Sequence, residues 1–161
     1  MLLFSGKHER PAGVGQRTWR EISKTGMFNV GLAWDRWYKM RHFAGDATQR
    51  YGYADRTAAY RRRKERRGIP GFLAMVYSGA TRASVASPQI PRAFPTRAVI
   101  TLSAPPYIQM RPDPRRRKAP NLGEELTRVT AEESEALAKV FTETTEPLIA
   151  AHLERMAASG R

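Results

Sequence analysis

At 161 residues the chain has the length of one ordinary domain, long enough to bury about two thirds of the surface its unfolded form exposes. It contains no cysteine, which excludes disulfides, thiolate nucleophiles and sulfur-ligated metals and fits a reducing compartment. The formal charge of +13 is unevenly laid out: residues 1–118 carry 24 basic and 7 acidic side chains, net +17, whereas residues 119–161 carry 4 and 8, net −4. One part of the surface should therefore attract anions and another part cations.

No apolar run approaches the roughly 20 residues that a bilayer requires, and the opening MLLF is too short for a signal peptide. The expectation is a soluble protein made inside the cell, without membrane contact. Residues 1–15 hold three glycines and a proline with no periodicity and read as an extended arm; residues 16–161 read as a single domain. From Asn29 to Phe43, apolar Val30, Ala33, Trp34, Trp37, Met40 and Phe43 recur at spacings of three and four, which predicts a helix with both tryptophans on its buried face. Gly45 ends it, and Asp46 is placed to cap a short turn through Arg50.

Asp55 is a plausible N-cap for a second helix over 55–67, DRTAAYRRRKERR, closed by Gly68. At about 100° per residue, Arg61 to Arg67 wrap nearly two turns, so charge faces every direction and this helix end should project into water. Arg56, Arg61, Arg62, Arg63, Lys64, Arg66 and Arg67 are the resulting candidates for contact with a partner or with phosphate.

Phe72 to Tyr77 has strand character, followed by a turn at Ser78 and Gly79. The prolines of SPQIPRAFP argue against regular structure over 87–95. Residues 96–103, TRAVITLS, give the clearest strand, with Ala98, Ile100 and Leu102 on one face, and PYIQM after Pro105 and Pro106 is a candidate edge strand. RPDPRRRKAPNLG, 111–123, reads as a basic, proline-rich loop whose Arg115, Arg116, Arg117 and Lys118 join the candidate contact set. The final helix opens with the capping-box spacing of Thr130 and Glu133, and Glu132, Glu133 and Glu135 suit its positive end. Leu137, Val140, Phe141 and Leu148, with His152 or Leu153, supply its buried stripe, which Pro147 should kink or split.

The residue set offers no catalytic constellation. His8, His42 and His152 are far apart and form no ligand-spaced pair. Glu124 and Glu125 are adjacent carboxylates explained by the approach to the final helix, and Ser78 lies in YSGAT, which is not a hydrolase elbow. The expectation is a binding or structural protein, with no enzymatic activity, cofactor, metal or small-molecule substrate.

The order HFAGDATQRYGYADRTAAYRRRKERRG, FLAMVYSGATRASV, RAVITLSAPPYI and VTAEESEALAKVF, spanning roughly residues 34–157, resembles the small virion-morphogenesis proteins of tailed bacteriophages, the tail-completion and head-to-tail joining proteins of the neck. RYGY running into the basic helix, and VYSGATR, are its most specific parts. The resemblance implies an α+β fold in which a small antiparallel sheet packs against N-terminal helices and a long C-terminal helix. It also implies a homo-oligomeric ring in the virion, made in the host bacterial cytoplasm, that joins the portal and its adaptor to tail-tube or tail-terminator proteins.

In such a ring the basic 61–67 or 115–118 segment of one subunit would meet an acidic patch of Glu132, Glu133 and Glu135 on a neighbour, or carboxylates on an adjoining ring. Each rim ion pair contributes only about 0–1 kcal/mol, enough to steer and register assembly. Non-specific DNA contact in the channel is a second use for the arginines. The alternative is a small basic nucleic-acid-binding protein outside any virion.

Overall fold

The computed structural model describes residues 2–73, 75–76, 79–103 and 121–160. Its architecture is α+β: a three-stranded antiparallel sheet with N-terminal helices and a long C-terminal helix. The chain divides into two compact units, one made of Met1–Trp34, Gln89–Thr101 and Glu132–Arg161, the other of Asp35–Pro88 and Leu102–Ala131.

In the first unit, strand β1 (Leu2–Ser5) and strand β2 (Arg92–Phe94) flank strand β3 (Arg97–Ile100), with Leu2 opposite Ile100 and Phe94 opposite Arg97. Residues 2–5, within the stretch expected to be an arm, are thus extended but tied into the sheet. The alternation expected of β3 holds: Ala98 and Ile100 are wholly buried. Strand β2 lies in the proline-rich stretch expected to lack regular structure. Pro91 and Pro95 flank the strand instead of interrupting it, and among the described residues its outer edge has no partner strand that their missing N–H groups would fail.

Helix α1 (Gln16–Ala33) packs on this sheet and buries Ile22, Gly26, Met27, Val30 and Gly31, one stripe at spacings of three and four. A Cβ on Gly31 would lie 2.6 Å from Pro91 Cβ, so the absent side chain is what lets the chain before β2 close on the helix. The final helix, α6 (Ala131–Ala158), crosses α1 at a second glycine. A Cβ on Gly26 would meet the Phe141 ring and Thr145 Cγ2 at 2.7 Å, and beside it Asn29 Nδ2 donates to Thr144 Oγ1 at 3.2 Å. His8 from the N-terminal segment stacks on Phe141, centroids 3.8 Å apart.

The buried residues of α6 are Glu133, Leu137, Phe141 and Thr145. A spacing of four drifts by about 40° per step around a helix, so the stripe turns away from its neighbours. Beyond Thr145 no residue of α6 is buried, and Leu148 and Leu153 stand 39% and 38% exposed. The helix runs unbroken through Pro147. That proline and Glu143, whose carbonyl it cannot bond, are both exposed, so water satisfies the acceptor that a buried proline would orphan.

The second unit begins where α1 passes into a π-helical turn, Trp34–Tyr38, and a 3₁₀ turn, Lys39–Phe43. Trp34 is fully buried but Trp37 is 54% exposed, against the expected shared face. The wider π turn advances each residue less than an α turn does, so a spacing of three no longer returns to the same side. Helices α2 (Ala47–Tyr51), α3 (Ala58–Glu65), α4 (Ala80–Ala86) and α5 (Leu122–Leu126) complete the unit.

Asp46 precedes α2 without capping it through its side chain, which instead takes the Arg50 guanidinium at 2.7 Å. Of the strand expected over 72–77, the described residues form turns: Leu73 N–H donates to Pro70 O and Val76 N–H to Leu73 O. The candidate strand PYIQM, and 111–120 of the basic loop, lie outside the described residues; Leu122 and Gly123, at the loop's end, open α5.

Replacement of Gly26 tests the α1–α6 crossing. Gly26→Ala should gain about 1 kcal/mol of helix propensity yet lose about 1–3 kcal/mol to overpacking against Phe141 and Thr145, and Gly26→Val should lose more, without the full propensity gain. Urea unfolding measures both; a stabilised Gly26→Val would show that the crossing is loose.

Candidate functional site

The basic stretch that dominates the sequence becomes α3 for local reasons. Thr57, not Asp55, is the N-cap, its hydroxyl accepting from Tyr60 N–H at 3.2 Å. The helix stops where Gly68 takes φ +70, a left-handed conformation that glycine enters without strain. Arg61, Arg62, Arg63, Arg66 and Arg67 are exposed, five guanidinium groups within seven residues, with Glu65 among them.

Two members of the expected contact set are structural. Lys64 is fully buried, so one side of the helix is dry after all; its Nζ donates to Leu73 O and lies 5.8 Å from the Tyr60 ring centre. Burial, and then the charge of Arg56, hold its pKa below the usual lysine value. Arg56 forms a two-pronged pair with Glu125 of α5 at 2.5 and 3.1 Å, its side chain 7% exposed against 2% for the glutamate. Glu125 also accepts Ala54 N–H at 3.0 Å. This latch ties the segment before α3 to α5, so neither charge is offered to a partner. Arg115, Arg116, Arg117 and Lys118 lie outside the described residues.

The second unit also contains a ring stack. His42 lies on Tyr51, centroids 4.0 Å apart and 12° from parallel, and its Nδ1 is hydrogen-bonded to the Tyr53 hydroxyl. Burial pushes the His42 pKa down to about 4 and raises that of Tyr53, so both rings are neutral near pH 7. Arg128 Nη1 closes the stack from outside by donating to Tyr51 O at 3.0 Å and to Gly52 O. Lys39, buried beside it in sequence, donates to Asp35 at 2.6 Å and to Ser87 O at 2.9 Å.

Within the first unit, the expected acidic patch is divided. Glu132 and Glu135 are exposed, whereas Glu133 is fully buried in the first turn of α6 and belongs to the core, not to a docking surface. The exposed acids extend much further than the patch: Glu132, Glu135, Glu143, Glu146 and Glu154 are all exposed, and helical geometry puts them within an arc of about 100°. Lys139, 3.7 Å from Glu143, is a cation within that stripe.

A basic groove in the same unit was not anticipated. Arg17, Arg20 and Lys24 follow one face of α1 and, with Arg92 of β2 and the apolar Phe28, Pro91 and Phe94, line an open groove of about 1130 Å³; among the described residues Glu21 is the one acid lining it. The Phe94 ring is itself covered by Arg97 at 4.6 Å and Arg92 at 5.4 Å. The three-and-four spacing of Arg17, Arg20 and Lys24 was the available signal; Arg92 and Phe94, which complete the groove, are brought to it only by the fold. In a neighbouring cavity of about 340 Å³, lined by His8 and Ser23, His8 Nε2 and Ser23 Oγ have no hydrogen-bond partner among the described residues, and burial lowers the His8 pKa. Among the described residues no group of three His, Asp or Glu could hold a metal, and no helix is long and apolar enough to cross a membrane.

Removing one half of the latch should cost far more than removing both. Glu125→Ala, which leaves Arg56 charged and enclosed, should lose about 3–5 kcal/mol in urea unfolding, and pairing Arg56→Met with Glu125→Leu should recover most of it; a single-variant loss below about 1 kcal/mol would contradict the buried pair. The His42 stack sets a pH dependence. Because the folded value of about 4 lies below the ordinary 6.5, the unfolded chain takes up a proton first as pH falls. This stabilisation is complete above pH 6.5 and is lost towards pH 4, by at most about 1.4 kcal/mol per pH unit. The slope of stability against pH over that window should flatten in His42→Gln; equal slopes would show that His42 is not held neutral.

No protein-family model, curated protein or solved structure matches the chain, so the charged surfaces themselves carry the functional argument.

Proposed function

We propose that the chain is a structural protein of a tailed-bacteriophage virion, a subunit of a homo-oligomeric ring at the neck that joins the portal and its adaptor to the tail. The observation that carries this reading is the sorting of exposed charge. Five arginines crowd onto the end of α3, while five glutamates follow one face of α6. Like charges at helical spacing destabilise a helix by a few tenths of a kcal/mol per pair, so the arginine cluster costs the isolated chain stability that contact with an anionic surface would return. Its density exceeds what solubility asks of a small protein. Rings are built by heterologous contacts between two different patches on each subunit, and patches of opposite sign supply both steering and register.

In this reading α3 docks on carboxylates of an adjoining virion protein, and the arginines that remain in the channel touch DNA phosphates without reading bases. The basic charge also favours a second reading, a nucleic-acid-binding protein outside any virion; the aromatic rings do not interleave with the arginine cluster as stacking platforms would.

Changing Arg61, Arg62 and Arg63 together to Glu reverses three exposed charges without touching the buried Lys64 or the Arg56–Glu125 latch. In phage carrying this variant, heads and tails should accumulate unjoined while the purified chain keeps its wild-type unfolding midpoint. Unchanged yields of joined particles would remove α3 from the docking role. A wild-type chain that retards a DNA fragment at physiological salt, and is missing from particles, would favour the second reading.

A further inference from the structure

The basic groove between α1 and β2 and the acidic face of α6 belong to the same compact unit, and we propose that they are the two halves of one self-assembly contact. The groove of one copy receives the α6 acidic stripe of a second copy. The inference rests on the ring-assembly part of the reading above, and it supplies the subunit contact that α3 does not.

Three observations support this occupant. The first is sign. Arg17, Arg20, Lys24 and Arg92 face the groove against Glu21, and Glu132, Glu135, Glu143, Glu146 and Glu154 face outward from α6 with Lys139 between them. The second is length. Along α1 the three cations span about 10 Å, and on α6 Glu135 to Glu146 span about 16 Å at 1.5 Å per residue, so one straight helix face can meet all three α1 cations at once. The third is apolar content. Electrostatics alone would steer copies together without holding them. The groove lining offers Phe28 and Phe94, while on α6 the partly exposed Leu153 lies at the edge of the acidic stripe, at the same helical angle as Glu135.

The α6 stripe and the groove are different patches on one unit, so the contact is head-to-tail. Unless a two-fold rotation lets two copies engage reciprocally, such a contact repeats until it closes a ring or runs on as a filament. The outer edge of β2 needs no partner strand in this arrangement, because its three residues end in prolines on both sides.

Charge exchange tests the contact on the purified full-length chain after nuclease treatment, by sedimentation velocity at low and high salt. The wild type should form species larger than a dimer at low salt that shrink as salt rises. The groove variant Arg17→Glu, Arg20→Glu, Lys24→Glu should sediment as a monomer, as should the stripe variant Glu135→Lys, Glu143→Lys, Glu146→Lys. An equimolar mixture of the two variants should assemble into species larger than a dimer in which the variants alternate, since the two native faces match and so do the two reversed faces, and one chain carrying all six changes should regain the wild-type distribution. All six residues are exposed, and circular dichroism confirms that each variant is folded; a variant that does not fold is replaced by the single change Lys24→Glu or Glu146→Lys, expected to reduce association at least tenfold. A wild type that is monomeric at both salt concentrations would overturn the proposal, as would assembly that disappears on nuclease treatment, which would assign the groove to a polyanion, or reversals that leave the assembly intact. Self-association through the groove by a chain missing from virions would leave this contact standing and count only against the neck reading.

Discussion

A chain with thirteen surplus positive charges folds only if each cation that enters the interior finds a specific acceptor, because an unpaired buried charge costs several kcal/mol. The second unit meets that constraint three times. Lys39 is held by Asp35 and the Ser87 carbonyl, Arg56 by both oxygens of Glu125, and Lys64 by the Leu73 carbonyl. Two of these contacts, Lys39 to Ser87 O and Arg56 to Glu125, also join segments distant in sequence, so there the solvation of charge and the closure of the unit are the same event. Most of the remaining cations among the described residues lie at the surface, where neighbouring cations repel one another.

Where the surplus goes decides what each unit can do. In the second unit it accumulates on α3, lifted clear by the buried side that Lys64 anchors. In the first unit both signs are exposed on separate helices: α1 presents cations beside β2, and α6 presents carboxylates opposite its buried stripe. Glycine makes this possible, because the absent side chains of Gly26 and Gly31 let α6 and the chain before β2 approach α1 on its apolar side, leaving its basic side to solvent. A surface sorted in this way has the chemistry of a component that binds other macromolecules by charge and shape.

Much of this was legible in the residues, and the failures have physical causes. The alternation of β3 was read correctly because a period of two is unmistakable when Ala98 and Ile100 alternate with Arg97 and Val99. The final helix was found from its apolar spacing, although Glu133 shows that spacing alone cannot tell a capping acid from a buried one. Trp37 was misplaced because a π turn leaves no mark in composition. Strand β2 was missed because prolines were read as breakers, when their meaning depends on which strand edge they occupy. Lys64 and Arg56 were counted as surface charge because their acceptors, a carbonyl nine residues on and a carboxylate in α5, are tertiary contacts that no local pattern announces. The groove on α1 combines residues 17–24 with residue 92, and only the fold brings them together.

The account comes down to whether these sorted charges are surfaces for assembly. Electron cryo-microscopy of intact particles, with the chain identified in the density, tests that most directly. It should find a ring of copies at the junction of head and tail, with the α1 side of each copy against the α6 face of the next and α3 in contact with an adjoining component. Particles that lack the chain, or that hold isolated copies with α3, the groove and the α6 stripe all open to water, would contradict it.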